Sequence, residues 1–524
     1  MASLMDSVRT AALTALFGVL AFSALEFLKN EVIRARRRRR MRSREREHQT
    51  DGHRRRTKGL TTDDTGFLDD FQLEELEERE EKELEEAEKE REEHEKSGWH
   101  RPKGLTSEML PVGNTPMSDA HINNALSVLV SHLKLRSSHH LGYPYNLRFA
   151  SHGLVPFMNF SINNLGDPFR PSNYGVNSHD FELAVLDFFA RVWSIKAGDY
   201  WGYITTCGTE GNLLGLLYGR EKFLPARDGV LFCSRESHYS VPKAAAMYRM
   251  ELELVETDVR GEMVYADLEA RLKKHSNRPV IVNVNAGTTV KGASDQIDSV
   301  VAVLRKCGIP RERFYIHVDA ALSGMIVPFL SGVNEAHRIS FQKPIDSCSV
   351  SGHKMLGCPM PCGVVITRAE HMRRWASDVE YLNSTDTTIM GSRNGQAALA
   401  MWVALQRKGL DGLREDVVQC IDNARYLKDL LDKSQIRNLL NDFSTTVVFE
   451  RPPEDVVLKW QLACSGDTAH VVVMPSVSKA KLRRFHFEVV AARARDGVVT
   501  GRPHSLDRMG GVAVHATFSS SGGN

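Results

Sequence analysis

Residues 314–321 read FYIHVDAA, an uninterrupted apolar run that ends at the acid Asp319. Runs of this kind are typical of strands that are buried on both faces of a parallel sheet. Similar short runs precede and follow it at 229–233, 253–256, 280–284, 347–350 and 363–367. Helical patterns accompany them at 209–222, 241–248 and 294–307. The alternation predicts a large α/β domain with a mostly parallel sheet, which collects its ligands at strand ends and helix N-termini.

Beyond residue 368 the pattern changes to long helical segments at 396–408 and 413–433, followed by strand-like runs at 445–450 and 469–474 and a last helix at 480–496. This order predicts a second, smaller α+β domain. The predicted organisation is an apolar segment with an Arg-rich tail (1–66), an acidic helical spacer and hinge (67–118), an N-terminal helical segment (119–195), the large domain (196–370), the small domain (371–497) and a Gly- and Ser-rich tail expected to be disordered (498–524).

The N-terminal region carries an apolar segment followed by two blocks of opposite charge. Residues 11–28 are apolar apart from Glu26, which is close to the shortest length that spans a bilayer. If they do span it, the arginines between 34 and 56 keep the rest of the chain on the cytosolic face. A processed targeting segment is the alternative. The Glu-rich stretch 71–96 has too few apolar residues to bury a face, which indicates a solvated helix or spacer.

Net charge and cysteine usage argue against several classes of function. The 524 residues include 68 Lys+Arg and 66 Asp+Glu, and a net charge of +2 does not indicate a nucleic-acid partner. The eight cysteines show neither the paired spacing of a zinc site nor the density of a secreted scaffold. We therefore expect no metal site and a reduced, cytoplasmic environment. Cys358 and Cys362 come nearest to a pair, and their spacing favours a structural role.

The stretch CGTEGN (207–212) follows an apolar run and opens a helical pattern. Small residues at a helix N-terminus leave backbone N–H groups free, and the helix dipole favours an anion such as phosphate there. When this stretch is taken alone, an ordinary N-cap, with Thr209 bonding the first turn, is the better explanation.

Three further residues suit chemistry at strand ends. Asp319 ends its strand, where a buried carboxylate requires a cationic partner. Lys354 follows the next predicted strand in SVSGHKM (349–355), and a lysine in a desolvated position can lose its proton and form a Schiff base. His238 follows an earlier strand in SRESHYS (234–240), where its ring can stack on a flat ligand. Each of these residues has a purely structural alternative. The helix start, the His, the Asp and the Lys nevertheless follow one another at successive strand ends, and this order favours a common binding site over four unrelated structural roles.

Residues 163 to about 477 resemble the group II pyridoxal-phosphate decarboxylases, in particular the plant-type serine decarboxylases that are often labelled histidine decarboxylases. The stretches that carry the resemblance are NNLGDPF (163–169), NYGVNSHDFE (173–182), DYWGYIT (199–205), CGTEGN, SRESHYSV (234–241), TTVKGA (288–293), SVSGHKMLGCPMPCGV (349–364), TIMGSRNG (388–395), STTVVFERP (444–452) and AHVVVMPSV (469–477). The resemblance implies a pyridoxal-phosphate transferase fold of the aspartate aminotransferase type.

The resemblance also implies roles for individual residues. Lys354 would carry the cofactor as a Schiff base, Asp319 would hold the pyridine nitrogen protonated, and His238 would stack on the ring. The phosphate would be surrounded by Thr209, Glu210, Ser351 and His353, and the ring pocket would be shaped by Thr288 and Ala321. Residues 381–395 would form a mobile catalytic loop, with Tyr381 or a neighbour as proton donor and the Ser392 region reaching the site of the other subunit in a homodimer. The substrate pocket would involve Asn173, Tyr174 and His179.

The expected activity is therefore decarboxylation of a small amino acid, L-serine giving ethanolamine. Two alternatives stay open at this point, because they would use the same cofactor residues. The protein would then decarboxylate histidine to histamine, or act as another carboxy-lyase or aldehyde synthase of the same family.

Overall fold

The central sheet is built from the apolar runs that the sequence places between residues 200 and 368. The computed structural model describes residues 110, 112, 115–149 and 153–496. The strands of the sheet are β1 (Tyr200–Thr205), β2 (Val230–Ser234), β3 (Glu251–Val255), β4 (Val280–Asn285), β5 (Phe314–Asp319), β6 (Ser347–Ser351) and β7 (Gly363–Arg368). Their spatial order is β1-β7-β6-β5-β4-β2-β3. The six predicted runs therefore all form strands, and the run at 200–205 joins them as β1.

Strand direction determines where the site lies. Strands β2 to β6 pair in parallel, whereas β7 is antiparallel to both β1 and β6. This confirms the mostly parallel sheet, and the reversed β7 was not predicted. Because the other strands run the same way, their carboxyl ends meet at one edge of the sheet. Asp319 and Ser351 are the last residues of β5 and β6 at that edge.

Helices cover the sheet and connect its strands. Those of the described residues are α1 (Asp119–Ser138), α2 (His179–Val192), α3 (Gly208–Glu221), α4 (Ser240–Tyr248), α5 (Tyr265–Lys274), α6 (Ile297–Lys306), α7 (Ala369–Met372), α8 (Gly395–Lys433), α9 (Glu454–Trp460) and α10 (Lys479–Arg495). Within the part of the chain that the structure describes, none of these helices has the length and apolar character needed to cross a bilayer. The predicted segment 11–28 lies outside the described residues.

Helix α3 lies unusually close to the sheet because glycines line the face that it turns toward β5 and β6. A Cβ at Gly211 would stand 2.7 Å from the Ser349 side chain, and one at Gly215 would stand 2.3 Å from His317 Nδ1. Real side chains do not approach this closely, so a larger residue at either position would push the helix away. The close approach brings the first turn of α3 to the carboxyl edge of the sheet.

The smaller domain has its own antiparallel sheet. Its strands are β10 (Asn438–Leu440), β11 (Thr446–Glu450), β12 (Ala463–Ser465) and β13 (Thr468–Val472), in the order β10-β11-β13-β12. The two long helices predicted after residue 395 form α8, which is interrupted at Gly409 by a positive φ of 58°. A short hairpin of β8 (Ser377–Val379) and β9 (Ser384–Asp386) precedes α8. Helices and strands thus agree with the predicted α+β character, while the exact domain boundaries stay predictions.

Candidate active site

Three of the predicted residues meet at the carboxyl edge of the central sheet. Asp319 ends β5, Lys354 stands three residues after β6, and His238 precedes α4. The carboxylate of Asp319 and the Lys354 ammonium both act on the pKa of His238, with opposite signs. Residues that are 116 positions apart in the sequence, His238 and Lys354, are therefore electrostatic neighbours in the fold.

Lys354 is held by its backbone while its amine stays available. Its carbonyl accepts hydrogen bonds from Asn146 N and Gly357 N, both at 3.1 Å. Burial lowers the pKa of Lys354 below its ordinary value, and the nearby Asp319 carboxylate only partly opposes this shift. Among the described residues, none hydrogen-bonds to Nζ. A lysine in this position loses its proton more easily than one in water, as a nucleophilic amine requires.

Asp319 is a buried acid whose hydrogen-bond donors are all neutral. It is 6% exposed and accepts from Asn212 Nδ2 at 2.7 Å and from Ala321 N at 3.2 Å. Within the described ranges, it forms no ion pair at salt-bridge distance. Because a buried carboxylate is costly without a cation, the site retains a place for a positively charged ligand group.

The N-terminus of α3 offers an anion-binding surface next to these residues. Its N-cap, Cys207, makes no side-chain capping bond, so the first backbone N–H groups, including that of Thr209, lack a helical acceptor. A Cβ at Gly208 would stand 2.7 Å from Ser351 Oγ and 3.4 Å from the Ala321 side chain. Glycine therefore lets the Ser351 hydroxyl lie close against the first turn of α3, beside the free N–H groups.

Two other residues predicted near the phosphate are held differently. His353 Nδ1 lies 2.8 Å from Cys362 O and 3.1 Å from Cys362 N, which fixes the ring and leaves Nε2 available. The Glu210 carboxylate instead accepts from Tyr203 Oη, Thr206 N and Thr206 Oγ1, each at 2.7 Å. Since a second anion would repel phosphate, this geometry gives Glu210 the task of holding the turn before α3.

Thr288 and Ala321 lie on two turns at the same edge of the sheet. The Thr288 hydroxyl accepts from Ala293 N at 3.1 Å and so closes the turn after β4. Ala321 donates its N–H to Asp319 and accepts from Ser351 N at 3.0 Å. Ala321 thus links the acid to the anion-binding surface.

The remaining predicted residues form a separate group around the loop segment 381–395. Tyr381 is 81% exposed. Ser392 Oγ accepts a hydrogen bond from Asn163 Nδ2 at 3.2 Å, and Asn173 N donates one to Leu382 O at 2.9 Å. Tyr174 Oη donates a hydrogen bond to Ser161 O at 3.0 Å. Burial lowers the pKa of His179. Within the residues that the structure describes, no hydrogen bond joins this group to Lys354, Asp319 or His238.

Sequence reasoning missed several residues that the structure brings to the site. Asn212 donates a hydrogen bond to Asp319, whereas the motif CGTEGN by itself indicates only the start of a helix. Tyr145 lies with its ring centroid 5.7 Å from that of His353, and Asn146 Nδ2 donates to Met355 O at 3.2 Å. The signal for the last two is the polar and aromatic stretch HHLGYPYN (139–146), which precedes the strands and carries no motif by itself.

These residues fit pyridoxal phosphate. The uncapped N–H groups at the start of α3 with the adjacent Ser351 hydroxyl suit the phosphate, and the buried acid without a cation suits the ring nitrogen. Lys354, whose pKa burial lowers, suits the aldehyde. Fold and site together define an enzyme that binds this cofactor through a lysine at the carboxyl edge of its main sheet.

Comparison with known proteins gives the family. The model of the pyridoxal-dependent decarboxylase conserved domain matches residues 177–451. Serine decarboxylase 1 of Oryza sativa subsp. japonica is 54% identical over 377 residues, which are 72% of this chain and 77% of that protein. Histidine decarboxylase of Solanum lycopersicum is 48% identical, over 69% of this chain and 86% of that protein. The chain therefore belongs to the pyridoxal-dependent decarboxylases and is a carboxy-lyase that uses pyridoxal phosphate.

A solved structure supports the same assignment. L-Methionine decarboxylase from Streptomyces sp. 590 superposes with a TM-score of 0.69 at 26% identity, covering 77% of this chain and 100% of that one. The predicted aspartate aminotransferase type of fold is confirmed, with a large sheet domain followed by a smaller one.

Proposed function

We propose that this enzyme removes CO2 from L-serine and releases ethanolamine. The observation that carries the proposal is the 54% identity with a rice serine decarboxylase over 377 residues, which are 72% of this chain. The 48% identity with a tomato histidine decarboxylase keeps L-histidine as the second candidate. Both substrates are small amino acids with a polar side chain.

The proposed roles follow from the geometry at the sheet edge. Bound pyridoxal phosphate supplies an electron sink for the pair of electrons that the departing carboxyl group leaves behind. Lys354, whose pKa is lowered by burial, would hold the cofactor through Nζ until the substrate amine takes its place. Asp319 would place its carboxylate against the ring nitrogen, and the first turn of α3 with Ser351 would bind the phosphate. His238 would stack on the ring.

The loop segment 381–395 has the remaining tasks. After CO2 has left, a proton must reach the former carboxyl-bearing carbon, and water must be excluded until it does. We assign proton donation to the Tyr381 hydroxyl, with closure of the loop segment as the step that keeps water out. The exposed position of Tyr381 agrees with a group that approaches the substrate only when the loop closes.

A product assay tests the reaction. The full-length protein with added cofactor is offered L-serine, L-histidine and aromatic amino acids, and CO2, ethanolamine, histamine, aldehyde and ammonia are measured. We expect CO2 and ethanolamine in equal amounts from L-serine, and none from the variant Lys354→Met. Histamine as the main product would favour the second candidate, and an aldehyde would show that the enzyme catalyses oxidative decarboxylation instead. Borohydride reduction and peptide mapping must place the cofactor on Lys354.

We further propose a homodimer in which each loop segment completes the site of the other subunit. Two observations support this. Among the described residues of one chain, the predicted loop and substrate residues bond to one another and form no hydrogen bond with Lys354. Helix α1 exposes an apolar stripe with helical spacing, in which Ile122, Leu126, Val130 and Leu133 are 42%, 55%, 50% and 53% exposed. A stripe of this kind suits a subunit interface.

Mixing two inactive variants tests the shared site. Lys354→Met and Tyr381→Phe are co-expressed, so that subunits pair at random. If Tyr381 acts across the interface, half of the dimers contain one site with both residues intact, and about a quarter of wild-type activity returns. Activity that stays at the level of the Tyr381→Phe parent would show that Tyr381 acts within its own chain, or does not act in the reaction. Sedimentation measures the oligomeric state independently.

For localisation, we propose a cytoplasmic catalytic domain that residues 11–28 attach to a membrane. The apolar character of that segment and the basic cluster after it support the proposal. Fractionation of cells that express the full chain or a chain without residues 1–66 tests it, and equal recovery of both in the soluble fraction would refute it.

A further inference from the structure

A buried amide lies between Asp319 and the residues behind it. Asn212 is 1% exposed and belongs to the first turns of α3. Its Nδ2 donates to Asp319 Oδ2 at 2.7 Å and to Ser240 Oγ at 2.9 Å. Its Oδ1 accepts from Ser349 Oγ at 2.6 Å and lies 3.0 Å from His317 Nε2. All four hydrogen-bonding positions of this amide are therefore filled.

The contacts fix the direction of each hydrogen bond. Because a carboxylate only accepts, the atom of Asn212 that faces Asp319 is the NH2 group, and its oxygen faces His317. His317 Nε2 must then carry the ring proton. Burial lowers the pKa of His317 to about 4, so the ring is neutral and its Nδ1 accepts from Ser347 Oγ at 2.8 Å. Tyr315 Oη in turn donates to Ser347 Oγ at 2.9 Å. The chain of hydrogen bonds runs in one direction, toward Asp319.

A second branch leads from the same amide to His238. The backbone N–H of Ser240 donates to His238 Nδ1 at 3.2 Å, so this nitrogen carries no proton. Ser240 Oγ accepts from Asn212 and donates to the same Nδ1 at 2.8 Å. The ring proton of His238 therefore resides on Nε2, the nitrogen that is left to face a ligand.

We propose that Asn212 is a positioning residue that orients the Asp319 carboxylate toward the cofactor and, through Ser240, keeps the ring proton of His238 on Nε2. The inference rests on the proposed function, in which Asp319 and His238 contact the cofactor. An amide suits this position because a lysine or arginine would neutralise Asp319, whereas an N–H group orients the carboxylate and leaves its charge for the ring nitrogen. The titratable groups that face Asp319 are Lys354, His238, His317 and Cys348.

The variant Asn212→Asp tests the proposal because it keeps the size of the side chain and replaces the NH2 group with oxygen. Two carboxyl groups at this distance cannot both ionise, so Asp319 would share a proton with its new neighbour. In the cofactor-loaded variant we expect the pH midpoint of the visible absorbance to move by about one unit or more, with kcat reduced about tenfold or more and KM almost unchanged.

Asn423→Asp is the matched control. Asn423 is 4% exposed, lies in α8 and donates Nδ2 to Val477 O at 2.9 Å, so it undergoes the same chemical change away from the site. If Asn212→Asp does not fold, Ser349→Ala removes one donor to the amide and is expected to move the midpoint by a smaller amount. A midpoint that moves no further than that of the control would overturn the proposal.

The absorbance comparison does not depend on the substrate. A wild-type enzyme that releases no CO2 from L-serine would refute the proposed substrate while the titration of the bound cofactor still tests Asn212. Conversely, normal turnover of L-serine by the wild type, together with an unchanged midpoint and kcat in Asn212→Asp, would leave the proposed function intact and refute the role of Asn212.

Discussion

The carboxyl edge of the central sheet and the loop segment 381–395 are built in opposite ways. At the sheet edge, Asp319 and Asn212 are 6% and 1% exposed and bound to each other. In the loop segment, Tyr381 is 81% exposed, while Arg393 near the other end is 4% exposed. The sheet edge is therefore enclosed. The loop segment is also held along its length, since Leu382 O accepts from Asn173 N and Thr387 O accepts from Tyr218 Oη, but it leaves the Tyr381 side chain open to solvent. The difference separates an enclosed acid and its partner from a tyrosine that solvent and substrate can reach.

Removing the anchor of the loop segment should have the largest effect on stability. Arg393 pairs with the fully buried Glu182 and also donates to Gly166 O at 3.1 Å. Arg393→Met would leave the Glu182 carboxylate buried without its cation, and we expect the free energy of unfolding to fall by about 3–5 kcal/mol. Chemical denaturation of the purified proteins measures it.

The double variant Arg393→Met, Glu182→Leu provides the control, because it removes both charges. Part of the loss should return in the double variant, since an uncompensated charge costs more than an absent pair. Equal losses in the single and double variants would show that packing of Arg393 on Tyr203, whose ring centroid lies 5.2 Å from the guanidinium, matters more than the charge.

Replacing the acid at the sheet edge should have the next largest effect, on activity instead of stability. Asp319→Asn keeps the shape and removes the charge that we assign to the ring nitrogen. We expect kcat to fall about 100- to 1,000-fold, which corresponds to roughly 2.7–4 kcal/mol of electrostatic stabilisation. Steady-state kinetics give the value, and Asp432→Asn, at an exposed ion pair with Lys428, is the control. A loss below tenfold would contradict the role of Asp319.

A single methyl group on α3 should test how rigid the sheet edge is. Gly215→Ala places a Cβ 2.3 Å from His317 Nδ1, so the helix or the histidine must shift, at a cost of about 1–3 kcal/mol. Gly412→Ala in α8 meets only the Lys408 side chain at 3.4 Å and should be neutral or stabilising by up to about 1 kcal/mol. Thermal and chemical unfolding compare the two. Equal stabilities would mean that α3 can move away from the sheet without cost.

The same two regions explain how much the sequence could predict. Strand β5 was recognisable because six consecutive buried residues form a mostly apolar run that ends in an acid. Strand β6 (SCSVS) is equally buried but contains three serines, so its local pattern is weaker. Reversal of β7 was not predictable, because parallel and antiparallel buried strands share one apolar pattern. The tasks of Asn212 and Glu210 depend on which side chains from distant strands meet them, and no local pattern carries that information.

The smallest expected effect concerns the stability cost of Lys354 itself. Burial lowers its pKa in the folded protein below the ordinary value of 10.5, so between these two pKa values the unfolded chain binds more protons than the folded one. Stability of the cofactor-free protein should therefore rise with pH in that window. Below it, both states are protonated and the folded state bears the full cost of burying the charge.

Lys354→Met removes this cost, so the cofactor-free variant should be more stable than the wild type at neutral pH. The advantage should shrink as the pH rises toward 10.5, where the wild-type lysine becomes neutral in both states. Denaturation at a series of pH values measures it, with Lys428→Met on the exposed face of α8 as the control. A variant that is less stable than the wild type at every pH would contradict this prediction. It would show that Asp319 stabilises the Lys354 ammonium group more than burial destabilises it. The amine would then be charged before the cofactor binds.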